Sequence, residues 1–71
     1  MKTHEFFGKE VLDADANRIG KVADIDVDLL QGVVNHMVVK SGLTKKFNIG
    51  LDKIEKICDK VILRVKANHL K

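Results

Sequence analysis

The apolar residues of this chain recur mostly at every second position, and nowhere do they hold a 3.6-residue period over the length of an ordinary helix. A period of two is the pattern of a half-buried strand, so the chain has room for strands and almost none for helices. "KEVLD" (9–13) predicts a first short strand. "DADANR" (13–18) predicts a turn, because Asp and Asn tolerate the left-handed backbone of tight turns. "IGKVADIDVDLL" (19–30) then alternates, with Ile19, Ala23, Ile25, Val27 and Leu29 on one side and Asp24, Asp26 and Asp28 on the other. "QG" (31–32) turns the chain into the β-branched run "VVNHMVVK" (33–40). "SG" (41–42) breaks that run, and "KKFNIG" (45–50) gives a fourth strand. In "LDKIEKI" (51–57), Leu51 and Ile54 precede Cys58 at spacings i, i+3 and i+7, which predicts one helical turn leading into a strand. After "DK" (59–60) comes "VILRVK" (61–66), with Val61, Leu63 and Val65 facing one way, and "ANHLK" (67–71) is expected to fray. About six short strands joined by tight turns predict an all-β fold, an antiparallel barrel or rolled sheet.

The 71 residues make one domain, 1–71, with its core at about 8–65. A core of that size is marginal, and folds below roughly 70–80 residues usually rely on disulfides, a metal or a partner subunit. Cys58 is the only cysteine, so no internal disulfide forms and no thiolate cage is available. Oligomerisation or unusually tidy packing is left. No apolar run approaches the roughly 20 residues that span a bilayer. The start, "MKTHEFFGKE", has no stretch of signal-peptide type. The expectation is a soluble, cytoplasmic protein without direct membrane insertion.

Asp24, Asp26 and Asp28 form a D-x-D-x-D row, which can open a calcium loop. Such a loop starting at Asp24 needs Gly at its sixth position and a bidentate Glu at its twelfth, where Leu29 and Asn35 stand. On a strand, same-face neighbours lie roughly 6.6–7 Å apart, too far for three carboxylates to share one ion. The row is therefore expected to be a solvated strand face. Asp24 and Asp28 are candidates for accepting hydrogen bonds from turn backbone or pairing with lysines across the ladder. His4, His36 and His69 have no companion ligand at short spacing, so no metal is expected. Cys58 reads as a small buried hydrophobe rather than a nucleophile. Ser41 is the only serine, the glycines are isolated, and no acid–base pair stands out, so neither cofactor nor enzymatic activity is expected.

The net charge of +3 conceals two unlike halves. Residues 1–35 hold four basic and seven acidic side chains, and residues 36–71 hold nine and three. Such a bipolar chain can steer toward an acidic partner or toward its own other half. Lys40, Lys45, Lys46, Lys53, Lys56 and Lys60 could line a patch for RNA phosphates, but with Arg18 and Arg64 the only arginines the favoured reading is solubility. Phe6, Phe7 and Phe47 are the only aromatics, too few for stacking single-stranded bases, so nucleic acid is not the expected partner. In the run 33–40, Val33, Met37 and Val39 fall on one face and Val34, His36 and Val38 on the other. A small barrel has one interior, so the second face is expected to meet another subunit or to lie under a terminal segment carrying Phe6 and Phe7. Homodimerisation through Val34, His36 and Val38 is the expectation that follows.

From Gly8 to about Leu63 the order of residues resembles the PRC-barrel family. The resemblance rests on Gly8 and Val11, the Asp13–Asp15 turn, Ile19-Gly20-Lys21-Val22, Asp24 and Asp28, and Gly32-Val33-Val34. Leu51-Asp52-Lys53-Ile54-Glu55-Lys56-Ile57, a hydrophobic-Asp-x-Ile-x-x-Ile pattern, completes it. Ala16 stands where the family often has Gly, which assigns any left-handed residue of that turn to Asp15 or Asn17, and Gly50 stands where many members have Pro. The resemblance implies a six-stranded antiparallel barrel with at most one helical turn, used as an adaptor and not as a catalyst. It makes Gly8, Ile19, Gly20, Asp24, Asp28 and Gly32 structural. It also implies kinship with stand-alone archaeal members linked to cell division as partners of SepF, the membrane anchor of the FtsZ ring. A barrel of the kind in the ribosome-maturation factor RimM, contacting RNA or the ribosome through the C-terminal lysines, is the alternative it offers.

Overall fold

The structure, a computed structural model, describes residues 2–69. Six strands form: β1 (Glu10–Leu12), β2 (Arg18–Asp28), β3 (Val33–Ser41), β4 (Lys45–Gly50), β5 (Ile54–Ile57) and β6 (Val61–Leu63). The helical turn expected after β4 is a 3-10 turn at Leu51–Lys53, and further single turns sit at Thr3–Phe6 (α1) and Ala67–His69. Leu70 and Lys71, the end of the tail expected to fray, lie outside the described residues.

All six strands belong to one sheet in the order β4-β3-β2-β1-β6-β5. Here the expected antiparallel barrel needs correction, because β6 runs parallel to β1, with Val11 opposite Val61, and the sheet does not close. The physical reason lies in the chain path. The meander β1 to β4 builds one side, and the β5–β6 hairpin then joins the far edge, next to β1. Only three residues separate Gly50 at the end of β4 from Ile54 at the start of β5. At roughly 3.3–3.6 Å per residue, that tether forces the two outer strands toward each other. The sheet is rolled, with an open seam between β4 and β5.

Inside the roll lie Val11, Ile19, Val22, Met37, Val39, Ile49, Val61 and Leu63, and Phe6 joins them from α1. The adjacent phenylalanines thus do not sit on a strand: Phe6 is buried, and Phe7, just past the helical turn, is exposed. Two bulges coil the long β2–β3 pair, one at Ala23 and one at Asn35, where the partner strand skips a residue. The Ala23 bulge resets the alternation, so Val22 and Ile25 point inward three positions apart and Ala23 is exposed.

Among the described residues Asp13 is the buried polar side chain. Its carboxylate accepts hydrogen bonds from the backbone N–H of Asp15 (2.9 Å), of Asn17 (2.7 Å) and of Ala67 (2.9 Å), the last 54 positions away. It therefore closes the β1–β2 turn and fastens the chain after β6 to it. Burial alone pushes its pKa up, but the hydrogen bonds from Asn17, Ala67 and Asp15 outweigh that and hold it below the ordinary value.

In the same turn the left-handed residue is Ala16 itself, at φ 66°, and not the neighbours expected from the sequence. Asp13 fixes the N–H groups on either side through Asp15 and Asn17, which leaves Ala16 at the reversal. An L-residue there costs about 1–2 kcal/mol, against roughly 0.4–1 kcal/mol that Gly loses through its freer unfolded chain. Ala16→Gly is expected to stabilise the fold by about 0.5–1 kcal/mol, read as a higher urea midpoint; a lower midpoint contradicts the assignment.

Candidate functional site

The β2–β3 pair outruns the rest of the sheet as an arm whose turn is Leu29–Gly32. Asp28 builds that turn: its Oδ1 accepts from the N–H groups of Leu30 and Gln31, both at 3.1 Å, and its carbonyl accepts from the Gly32 N–H at 2.8 Å. Gly32 supplies the positive φ of 69° that the reversal needs. At the tip Leu29 is 88 % exposed and Leu30 fully so.

The inward side of the arm is apolar. Val27 stands directly opposite Val34, and both are about two-fifths exposed. Val34, Ile25, Met37 and Phe6 line a groove of about 180 Å³ with Leu51 and Ile57, which lie along the open seam. The bulge at Asn35 is what brings Val34 there, since it uses up one residue and sets Val34 on the side of Met37. The expected grouping of Val34 with His36 and Val38 on one outward face is thereby corrected. His36 and Val38 share the other face, each half-buried, opposite Asp26 and Asp24.

That outer face is electrically divided. Toward the arm tip it carries Asp24, Asp26 and Asp28. Asp24 accepts from the N–H of Ile25 at 2.8 Å rather than pairing with a lysine. Asp26 accepts from Asn35 Nδ2 at 2.9 Å and lies 3.9 Å from His36 Nδ1. Toward the other end of β3 the face carries Lys21, Lys40 and Lys46. Glu10, on β1, takes Arg18 at 3.3 Å and Lys60 at 3.0 Å, and the Lys60 bond and charge lead the causes that hold its pKa below the ordinary value.

The remaining candidates are dispersed. His4 is exposed on α1, and the side chain of His69 lies outside the described residues. Cys58 is exposed and not a core residue, because the bend after β5 holds it outside, with its Sγ 3.4 Å from the Lys60 carbonyl. Among the described residues no three His, Cys, Asp or Glu side chains converge on a common point, and no helix is long and apolar enough to cross a membrane. Ile19 and Gly20 are buried at the base of the arm. Gly8, at φ 86°, donates its N–H to the Val22 carbonyl at 2.8 Å.

Three apolar turn residues, Leu29, Leu30 and Leu43, had not stood out as contact residues. Their signal was present, since hairpin turns are normally built from Gly, Asn, Asp and Ser. Aliphatic residues in "DLLQG" and "SGLTK" break that rule.

No curated protein matches the chain. The model of the PRC-barrel domain matches residues 1–70, nearly the whole length. With a rolled six-stranded sheet and that match together, the chain belongs to the PRC-barrel domain family.

Proposed function

We propose that this protein is a non-enzymatic protein–protein interaction module that pairs with a second copy through the inward side of its arm. The observation that carries the reading is that the core runs out of the fold uncovered. Ile25, Val27, Val34, Leu51 and Ile57 continue it to the surface, and the bare leucines of the tip extend it. A contiguous apolar strip rimmed by polar residues marks a contact surface.

A second copy fits because knob and groove lie on one strip. Two arms related by a two-fold axis set each tip against the other's groove, a self-complementary contact. Pairing would also supply the staple that so small a core calls for. Recruitment to the division site of an archaeal cell by a SepF-type protein is the finer proposal, and it is supported by the family resemblance alone.

Light scattering at micromolar concentration tests the self-association. The wild type is expected at twice the chain mass. Val34→Asp is expected at the single mass with an unchanged circular dichroism spectrum. An unpaired carboxylate set into an apolar contact costs about 2 kcal/mol or more, so the dissociation constant should rise at least ~30-fold. A wild type that stays at the single mass contradicts the proposal.

A further inference from the structure

The turn between β3 and β4, at the end of β3 remote from the arm tip, gathers cations that form no ion pair among the described residues. Lys21 on β2 stands directly opposite Lys40 on β3, and Lys40 directly opposite Lys46 on β4. Three lysines therefore stand in one row across three neighbouring strands, and Lys45 follows opposite Ser41. Directly opposed like charges destabilise a sheet. Among the described residues no carboxylate lies within 4 Å of these four lysines. Glu10, opposite Lys21 in the same row, is engaged by Lys60 and Arg18, and Lys21 adds only the smallest of the charges that lower its pKa. Within the turn Leu43 is 93 % exposed, and it shares an open cleft of about 670 Å³ with Arg18, Lys21 and Lys40.

We propose that this turn docks on an anionic membrane surface, with the lysine row on lipid phosphates and Leu43 entering the headgroup layer. Binding at a bilayer surface needs two components, attraction to anionic headgroups and apolar area to bury, and this turn presents both together. The row explains why a costly alignment of like charge stands on an otherwise well-satisfied sheet: a plane of phosphates neutralises all of it at once. Nucleic acid fits the surface less well. Its sites stack bases on exposed rings, whereas Phe47, the aromatic of β4, packs against the core and Arg18 is drawn to Glu10. Docking of this kind needs no membrane-spanning segment, and it leaves the arm free at the other end of β3.

Flotation of the full chain with vesicles tests the proposal. At low ionic strength the wild type is expected to float with vesicles of equal parts phosphatidylglycerol and phosphatidylcholine, and to stay behind with phosphatidylcholine alone. Each lysine near such a surface contributes about fivefold, so Lys40→Gln with Lys46→Gln is expected to lower partitioning by roughly 25-fold. Relief of the opposed charges should leave the melting temperature of that variant unchanged or raised, which separates lost binding from lost fold. Leu43→Ser is expected to lower partitioning by about tenfold, from the apolar area no longer buried. Absence of flotation with anionic vesicles, equal flotation with neutral ones, or a Leu43→Ser variant that floats like the wild type overturns the proposal. Release from the vesicles by equimolar polyuridylate also overturns it, and assigns the lysine row to RNA.

Discussion

Asp13→Ala is expected to lower the thermal midpoint by roughly 12–24 °C, a large effect for a polar side chain in a turn. The substitution strips the partner from three backbone N–H groups, those of Asp15, Asn17 and Ala67. A donor left without its partner costs about 1–3 kcal/mol, toward the lower end where water can reach it. Three of them amount to about 3 kcal/mol, and each kcal/mol moves the midpoint of a domain this size by roughly 4–8 °C. Asp13→Asn keeps one acceptor oxygen but turns an N–H₂ toward another donor, so it should fall about halfway. Because the carboxyl is held below its ordinary value of 3.8 in the folded state, its contribution is complete above that pH and fades as pH falls through the lower, folded value. Acid titration of the fold by circular dichroism should therefore show a shallower loss for Asp13→Asn than for the wild type. Equal thermal midpoints for wild type and Asp13→Ala would remove Asp13 from this role.

Gly20→Ala is expected to destabilise by about 1–3 kcal/mol or more, although it adds a single methyl group. That methyl would press into the backbone carbonyl oxygen of Lys40 and stand 2.9 Å from the carbonyl carbon. Neither atom can swing away as a side chain could, so β2 and β3 must separate at the base of the arm. Gly32→Ala is the control. At φ 69° with nothing within 4 Å, it meets only the left-handed penalty of about 1–2 kcal/mol. Urea denaturation of the two variants should rank Gly20→Ala below Gly32→Ala, and the reverse order would contradict the close β2–β3 approach.

Much of the architecture was legible because two local rules agree along the chain. β-branched alternation marks the strands, and Gly, Asn and Asp mark the turns between them, which placed all six strands to within a few residues. What stayed hidden depends on partners distant in sequence. The parallel pairing of Val11 with Val61 follows from how a three-residue tether rolls the sheet, not from either strand's own pattern. The bulges at Ala23 and Asn35 insert a residue without changing composition, so a plain count of two put Val34 on the wrong side. Asp13 was legible as a turn residue but not as the clasp on Ala67, 54 positions on. The lysine row needs register as well: Lys21, Lys40 and Lys46 read as separate charges until the ladder sets them opposite one another.

Amide hydrogen exchange, compared between dilute and concentrated protein, tests the central claim most directly, because it reports which backbone a second copy covers. Slower exchange on concentration within residues 25–34 and 51–57, with residues 40–46 unchanged, is the result expected if the arms pair across the groove. Exchange that does not depend on concentration anywhere, or protection that grows along β4 instead, would contradict it.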